Sequence, residues 1–260
     1  MPDPDPRLVE GPQGPLRVSD GGTGGLAVVL IHGGAAELGQ WSAQLDHLRR
    51  RCRAVALDLR GMGGSSPPRD GDYSLPAMAA DVHAVALALG LGRFALVGHS
   101  YGGAVISAYA ASHPERLAAL VYADCHGVPW IPTPEERREL DEGFRPENFA
   151  AFTERWYEAI LANAVEGTRR RVMASLRATP REVFIASVEG GIGFDPRAAV
   201  AGFPGPLLAI GAEMLDGPQA AQRALPVRDF RVMKGVSHWL MMDRPEEFNR
   251  HLDELLAGLR

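Results

Sequence analysis

Short apolar runs alternate with amphipathic stretches along most of the 260-residue chain. The apolar runs predict buried strands, which fall within 26–34, 52–65, 94–100, 117–125, 206–212 and 228–235. The amphipathic stretches predict helices at 74–89, 101–113 and 245–259. Short, continuously apolar strands that alternate with helices are typical of a parallel sheet with both faces covered. The pattern therefore predicts an α/β fold with a mostly parallel, doubly wound sheet.

The segment 15–30, PLRVSDGGTGGLAVVL, departs from this alternation. Two short strands joined by a Gly-rich turn predict an antiparallel hairpin at one edge of the sheet. GGTGG also suggests a phosphate-binding loop, but such a loop needs the N-terminus of a helix, and no helix follows. A nucleotide site is therefore not expected here.

A second departure lies between the strands predicted at 117–125 and 206–212. Residues 127–201 show no convincing buried strand and instead carry charged amphipathic stretches with scattered aromatic side chains. The stretch is too long for an ordinary loop. We therefore predict a core domain formed by residues 1–126 and 202–260, and a helical cap, or lid, formed by residues 127–201. An insertion of this kind lies over the carboxyl ends of the parallel strands, which is where such folds bind ligands.

The composition narrows the classes of partner. The formal net charge is -5, whereas nucleic acids and anionic membranes attract concentrated positive charge. No apolar run reaches the ~18 residues that span a bilayer, and residues 1–10 lack the apolar core of a signal peptide. We therefore expect a cytoplasmic protein with Cys52 and Cys125 reduced, whose partners are a small molecule and water, with no nucleic acid and no membrane. Abundant Arg and Ala beside a single lysine, Lys234, are typical of a GC-rich bacterial genome.

The stretch LVGHSYGGA at 96–104 contains the pattern G-x-S-x-G between a predicted strand and a predicted helix. A sharp strand-to-helix turn holds the central residue, Ser100, in a strained conformation with its side chain exposed. Larger residues two positions away would collide, so Gly98 and Gly102 suit the turn. The serine also lies at a helix N-terminus, where free N–H groups and the helix dipole favour negative charge. Ser100 is therefore our candidate nucleophile.

A serine hydroxyl needs a base to accept its proton, and where a turn of this kind carries the nucleophile the chain order is Ser, acid, His. His238 lies in the predicted loop between the last strand and the last helix, and we assign it as the general base. An oxyanion hole needs two N–H groups directed at the developing charge. The expected donors are the N–H of Tyr101, which follows the nucleophile, and that of Gly34 in the loop after the first apolar strand.

Five motifs together resemble the α/β hydrolases that carry a cap, a group that includes epoxide hydrolases, haloalkane dehalogenases and many carboxylesterases. The motifs are LIHGGAAELGQW at 30–41, DLRGMGGS at 58–65, LVGHSYGGA at 96–104, HPERLAALVYAD at 113–124 and GVSHWLMMDRPEEFNRHL at 235–252. The resemblance covers nearly the whole chain outside the predicted cap and implies the α/β-hydrolase fold. Relatives with an aspartate nucleophile carry a carboxylate where this chain has Ser100, so the resemblance implies acyl transfer to water. In DLRG it assigns Asp58 to the bracing of a loop.

The third member of the expected triad is a carboxylate that orients the histidine and stabilises its charged form. Similar proteins often carry it after the strand PLLAIGA in the pattern G-x-x-D, but counting from Gly211 that position is Met214. Its acidic neighbours are Glu213 and Asp216. The other location in similar proteins is the end of the preceding strand, where Asp124 follows the nucleophile by 24 residues. We predict Asp124, with Asp216 and Glu213 as the alternatives.

These residues predict a serine hydrolase that cleaves carboxylic esters of small to medium hydrophobic substrates through an acyl-enzyme on Ser100. Cys and His are not clustered at metal-ligand spacing, so we expect neither a metal nor an organic cofactor. Lactonases, C–C bond hydrolases and cofactor-free perhydrolases use the same triad and are the alternatives. A thioesterase acting on a carrier protein, or a non-catalytic ligand-binding protein, fits the sequence less well.

The substrate pocket is expected to combine residues of the core with residues of the cap. Its predicted members are Gly33, His126, Trp130, Phe144, Trp156 and Trp239. The aromatic members suit an apolar roof over the triad, as is usual for small-molecule sites.

Overall fold

The computed structural model describes residues 6–259, which contain an eight-stranded sheet. Residues 1–5 and 260 lie outside the described residues. The predicted core domain includes all six of them, and the interpretation of residues 1–10 includes the first five. The strands are β1 (Arg7–Gly11), β2 (Gly14–Gly21), β3 (Ala27–Ile31), β4 (Ala54–Leu57), β5 (Phe94–His99), β6 (Leu117–Ala123), β7 (Leu207–Ala212) and β8 (Asp229–Met233). Their order across the sheet is β1-β2-β4-β3-β5-β6-β7-β8.

The six strands from β3 to β8 run parallel to one another, while β1 and β2 form an antiparallel edge. Successive side chains of a strand point to opposite faces, so Val29 and Ile31 belong to one core cluster and Val28 and Leu30 to the other. This architecture confirms the predicted α/β fold with a mostly parallel sheet, both faces of which are covered, and an antiparallel edge hairpin.

The helices cover both faces of the sheet. Within the described residues the α-helices are α1 (Ser42–Leu48), α2 (Leu75–Ala88), α3 (Tyr101–Ser112), α4 (Pro134–Gly143), α5 (Phe149–Ile160), α6 (Glu166–Ala178), α7 (Arg181–Gly191), α8 (Pro196–Val200), α9 (Ala221–Ala224), α10 (Leu240–Asp243) and α11 (Pro245–Ala257). Residues of α2 and α3 pack in one core cluster, and residues of α1 and α11 pack in the other. The ends of α2, α3 and α11 agree with the predicted helices to within two residues.

The antiparallel edge is built from different strands than the sequence suggests. The predicted hairpin joins β2 to β3 through GGTGG, but β4 lies between those two strands. Instead, β2 pairs with β1 through the short turn at 12–13. The Gly-rich loop crosses the entry to β4 so closely that a Cβ on Gly25 would lie 2.9 Å from the Cβ of Cys52. These glycines therefore allow a backbone crossing rather than a hairpin turn.

Helices α4 to α8 lie between β6 and β7, where the sequence predicts the cap. Residues 127–201, all of which the structure describes, are called the helical segment below; they contain no strand. Aromatic side chains of different helices pack edge to face inside it, with centroid distances of 6.2 Å between Phe144 and Phe184 and 6.0 Å between Trp156 and Phe184. These contacts give the helical segment an aromatic interior.

Candidate active site

Ser100 occupies the turn between β5 and α3 in a backbone conformation that non-glycine residues rarely adopt. Its φ is 51° and its ψ is -118°. Its N–H donates to the carbonyl of Ala123 at 3.1 Å, and its carbonyl accepts from the N–H of Gly103 at 2.8 Å. Such strain persists only where the surrounding structure enforces it, and it is concentrated at functional sites.

The glycines two residues either side of Ser100 make this turn sterically accessible. A Cβ on Gly102 would lie 2.6 Å from the carbonyl oxygen of Ile31, and one on Gly98 would collide with the carbonyl group of Gly102. Real Cβ atoms do not approach the backbone this closely, so both positions need glycine. The turn has the geometry that the G-x-S-x-G pattern predicts.

His238 and Asp124 form a hydrogen-bonded pair that lines the same cavity as Ser100. The Nδ1–H of His238 donates to Oδ2 of Asp124 at 2.7 Å, and Oδ1 accepts from the N–H of Ala212 at 2.8 Å. Both side chains are almost fully buried, which strengthens the bonds between them. Because an ionised carboxylate can only accept, the ring proton is assigned to Nδ1, and Nε2 is left as an acceptor.

The backbone of His238 is held on both sides. Its N–H donates to the carbonyl of Ile160 at the end of α5 (3.1 Å), and its carbonyl accepts from the Nε2–H of His99 (2.9 Å). Burial lowers the pKa of His99 well below its usual value, and the neighbouring His238 lowers it further. His99 is therefore a neutral donor, and the position of His238 depends on both β5 and the helical segment.

The two alternative acids lie elsewhere. Asp216 forms an ion pair with Arg223 at 2.6 Å, and this bond holds its pKa below the usual value. Glu213 is exposed and lies 3.5 Å from a surface lysine. Of the three candidate carboxylates, the structure brings Asp124 to His238.

The loop after β3 carries the expected oxyanion donor Gly34. The Nδ1–H of His32 donates to the carbonyl of Gly33 at 2.7 Å, and Nε2 of the same ring accepts from the N–H of Leu59 at 2.9 Å. In a trans peptide the C=O and N–H point in opposite directions, so this bond turns the Gly34 N–H away from His32. Tyr101 is the first residue of α3, so its N–H has no acceptor within the helix, and both expected donors line the cavity.

Three non-glycine residues with positive φ border this cavity. They are Ala35 (φ 45°), Ser100 (φ 51°) and Asp124 (φ 51°). They follow β3, β5 and β6, which are neighbours in the sheet. Backbone strain is therefore concentrated at the carboxyl ends of three adjacent parallel strands.

Asp58, just after β4, braces the neighbouring loops as the DLRG motif implies. Its carboxylate accepts from the N–H groups of Leu38 at 2.5 Å and Gly64 at 2.7 Å, and it pairs with Arg17 at 3.2 Å. The side chain is fully buried and does not line the cavity. Its contacts give it a structural function.

A cavity of about 520 Å³ separates the strand ends from the helical segment. Five of the six residues predicted for the pocket line it: Gly33, His126, Trp130, Trp156 and Trp239. The expected nucleophile, base, acid and oxyanion donors line it as well. The structure thus brings together candidate residues that are separated by up to 206 positions in the sequence, from Gly33 to Trp239.

The prediction for Phe144 is wrong. This residue is only 6% exposed and does not line the cavity. Its ring packs edge to face against Phe152 and Phe184, at centroid distances of 5.9 and 6.2 Å. Phe144 follows the last residue of α4, and its ring belongs to the aromatic interior of the helical segment, where burial and edge-to-face contacts stabilise it.

Other lining residues were not predicted from the sequence. They are Ala35, His99, Ala104, Val128, Tyr157, Ile160, Phe184, Ser187, Val188, Gly191, Phe194, Pro196 and Leu215. Among them, Tyr157 contacts the loop of the expected oxyanion donor: its hydroxyl donates to the carbonyl of Gly34 at 2.9 Å. Helical periodicity provides a signal for it: Thr153 and Tyr157 are four residues apart and form the buried side of α5.

His126 is a polar side chain in a mostly apolar lining. Its neighbours Cys125 and Gly127 are fixed by backbone hydrogen bonds to Ala221 and Gln219, both 2.8 Å. Although the ring is exposed to the cavity, the surrounding protein lowers its pKa, and the nearby His238 lowers it further. His126 is thus a neutral ring that is available to a ligand.

A family model described as the alpha/beta hydrolase fold matches residues 27–192. The match covers more than half of the chain, including the loop after β3, the Ser100 turn and the end of β6. The chain belongs to the α/β-hydrolase family.

A curated relative of this α/β hydrolase aligns over most of both chains. It is named "Putative carbamate hydrolase RutD", from Caulobacter vibrioides (strain NA1000 / CB15N), and is 32% identical over 254 residues, which are 90% of this chain and 91% of the relative. A solved thermophilic esterase from Thermogutta terrifontis (malate bound) has 26% identity and a TM-score of 0.81, over 97% of this chain and 99% of that one. Est816, described as an N-acyl homoserine lactone degrading enzyme, has 25% identity and a TM-score of 0.74, over 97% and 99%. The chain is therefore a hydrolase of the α/β family. The names of proteins similar to it refer to the cleavage of different bonds, in carbamates, esters and lactones.

Among residues 6–259, His, Cys, Asp and Glu side chains form no group of three or more that suits a metal ion. None of the helices in that range combines the length and the apolar character needed to cross a bilayer. Cys52 and Cys125 are both buried and free.

Proposed function

We propose that this α/β hydrolase cleaves carboxylic esters through an acyl-enzyme on Ser100. The observation that carries the proposal is the hydrogen-bonded pair of His238 and Asp124, which shares a cavity with the strained serine turn. With Nδ1 bound to the carboxylate, Nε2 is the ring atom that remains to accept the serine proton. A serine hydroxyl needs such a base to act as a nucleophile.

In the proposed reaction, Nε2 of His238 takes the hydroxyl proton as Oγ of Ser100 attacks the ester carbonyl. The N–H groups of Gly34 and Tyr101 stabilise the oxyanion of the tetrahedral intermediate. The intermediate collapses as the protonated histidine donates its proton to the leaving alcohol. Water, deprotonated by the same nitrogen, attacks the acyl-enzyme and releases the carboxylic acid. Asp124 stays ionised throughout, holding the ring and stabilising its cation.

In this scheme the helical segment, residues 127–201, is the cap of a core formed by residues 1–126 and 202–260. Its aromatic side chains Trp130 and Trp156 line the 520 Å³ cavity. A mostly apolar cavity of this size suits a small to medium acyl or alcohol group. The neutral ring of His126 offers a hydrogen bond to a polar group of the substrate.

Carbamate hydrolysis is the second candidate, because the relative that aligns with 90% of the chain is named for it. A carbamate presents the same kind of carbonyl to a serine, and its attack also forms a tetrahedral oxyanion. Donation from the carbamate nitrogen makes this carbonyl less electrophilic than that of an ester. Lactone hydrolysis, an alternative already raised by the sequence, would use the same groups, because a lactone is a cyclic ester; the structural neighbour Est816 is described as degrading an N-acyl homoserine lactone.

The test compares initial rates on p-nitrophenyl acetate, p-nitrophenyl butyrate, a p-nitrophenyl carbamate and a γ-lactone. The variants are Ser100→Ala and, as a matched control, Ser112→Ala at the other end of α3. We expect ester turnover by the wild type and the control, and a loss of at least about 10⁴-fold in Ser100→Ala. Faster turnover of the carbamate would favour the second candidate. A folded wild type that turns over none of the four substrates, or an active Ser100→Ala, would overturn the proposal.

A further inference from the structure

The loop that carries Gly34 has little intrinsic rigidity. Two of its residues, Gly33 and Gly34, have the wide conformational freedom of glycine. The next residue, Ala35, has a φ of 45°, which is disfavoured for alanine. Such a loop keeps one conformation only where contacts from outside hold it. The carbonyl of Gly33 accepts a local bond from His32, whose ring is in turn held by the N–H of Leu59, and the carbonyl of Gly34 accepts from outside the loop, from the hydroxyl of Tyr157 at 2.9 Å.

Tyr157 reaches this loop from α5 of the helical segment. It is only 6% exposed, and its ring packs on Trp239 and Phe184 at centroid distances of 5.7 and 6.3 Å. Burial raises the pKa of the hydroxyl, so it stays protonated and acts as the donor to Gly34. A buried hydroxyl without an acceptor is unfavourable, so this bond fixes the tyrosine as well as the loop.

The same turn of α5 also holds the candidate base. The last carbonyls of a helix have no partner within it. That of Ile160, three residues after Tyr157, accepts the backbone N–H of His238 at 3.1 Å. One turn of a helix outside the sheet therefore contacts both the loop of the expected oxyanion donor and the expected base.

We propose that Tyr157 is a positioning residue for the oxyanion hole. Its hydroxyl fixes the peptide between Gly34 and Ala35, which keeps the loop in its strained conformation and keeps the preceding N–H, that of Gly34, in place. The inference rests on the proposed function, since that function gives the Gly34 N–H its role. Tyr157 acts through the loop backbone and does not take part in proton transfer.

The experiment compares Tyr157→Phe, which removes only the hydroxyl, with Tyr122→Phe as the matched control. The Tyr122 hydroxyl is also buried and hydrogen-bonded, to Ser107 at 2.9 Å, but it does not line the cavity. The kinetic measurement is kcat and KM on p-nitrophenyl butyrate. The binding measurement is the Kd of phenylboronic acid, whose tetrahedral adduct with serine presents an oxyanion to the same N–H groups. Titration with a p-nitrophenyl phosphonate counts the folded, reactive sites. Both kcat and the Kd of the boronate are then calculated per reactive site, so a misfolded fraction does not affect them.

For Tyr157→Phe we expect kcat to fall roughly 10- to 100-fold with KM within about twofold of wild type, because misplacing a catalytic donor weakens transition-state binding alone. The Kd of phenylboronic acid should rise by a similar factor, and the Tyr122→Phe control should match wild type in all three values. A change in KM alone, or kcat and boronate affinity both unchanged, would overturn the inference. If the wild type hydrolyses no ester, the proposed function fails, while the boronate comparison still decides the role of Tyr157. A wild type that neither hydrolyses an ester nor binds the boronate overturns both.

Discussion

The two sides of the cavity are built in different ways. On the sheet side, the candidate chemical groups lie on backbone fixed by hydrogen bonds and close glycine contacts, with positive φ at Ala35, Ser100 and Asp124. On the other side, the lining consists of side chains such as Trp130 and Trp156 from the helical segment. A strained backbone tolerates little change, whereas a side chain on a helix face can be exchanged without moving the helix. From this contrast we expect that the groups on the sheet side carry out bond cleavage, and that cavity-lining side chains such as Trp130 and Trp156 govern which substrate fits.

The strongest test of the sheet side is Asp124→Asn. An asparagine amide cannot stabilise the imidazolium and favours the wrong tautomer of His238, so we expect kcat on p-nitrophenyl butyrate to fall on the order of 10³- to 10⁴-fold. The matched control is Asp216→Asn, which removes a surface ion pair with Arg223 and should keep kcat within about twofold. Near-full activity in Asp124→Asn together with a large loss in Asp216→Asn would reassign the acid.

The second test concerns the backbone itself. In Gly102→Ala the new Cβ meets the carbonyl oxygen of Ile31, which cannot rotate away, so we expect the free energy of unfolding to fall by about 2–4 kcal/mol. Gly167→Ala, in α6 of the helical segment, has open space around the new Cβ and should raise the same quantity by up to about 1 kcal/mol. Urea denaturation measures both. Equal changes in the free energy of unfolding in Gly102→Ala and Gly167→Ala would mean that the backbone of the sheet side is no less tolerant of substitution than that of the helical segment.

The third test concerns the helical segment. Trp156→Ala enlarges the cavity, so we expect the ratio of kcat/KM for p-nitrophenyl octanoate over acetate to rise about 10-fold, a typical size for pocket discrimination. Arg155→Ala, its exposed neighbour on α5, does not touch the cavity and should leave the ratio unchanged. A loss of kcat for every chain length in Trp156→Ala would instead assign this side chain to bond cleavage.

The smallest expected effect is that of a surface ion pair in the helical segment. Arg137 of α4 pairs with Glu189 of α7 at 2.7 Å, and both side chains are well exposed. Exposed pairs contribute little, so Arg137→Gln should change the free energy of unfolding by less than about 1 kcal/mol. Urea denaturation at low and high salt measures it. A loss above about 2 kcal/mol would mean that the packing of α4 on α7 depends on this pair rather than on the aromatic interior.

The features that the sequence predicts well have local causes. The Ser100 turn depends on steric contacts among the ends of β3 and β5 and the start of α3, and two glycines at fixed spacing report it. The edge hairpin shows the limit of this reasoning, because GGTGG does not reveal whether a loop turns back or crosses β4. Chain direction after a glycine-rich loop is decided by long-range strand pairing.

The position of the candidate acid and the choice of side chains that line the cavity depend on contacts between distant parts of the chain. Asp124 reaches His238 while its other oxygen bonds the N–H of Ala212, an arrangement that requires the register of β6 against β7. The exclusion of Phe144 and the inclusion of Tyr157 depend on how α4, α5 and α7 rotate against one another. A sequence shows that these side chains are aromatic, but not which surface each one faces.

The positive φ values beside the cavity bear on any attempt to make this protein more heat-resistant. Each such residue costs about 1–3 kcal/mol relative to relaxed backbone, and glycine would relieve most of that cost. At Ser100 or Asp124, however, glycine also deletes a group on which the proposed chemistry depends. A directed-evolution library selected for heat resistance alone would therefore enrich inert proteins with substitutions at these two codons. Selection should pair heating with an activity screen, or leave both codons unvaried.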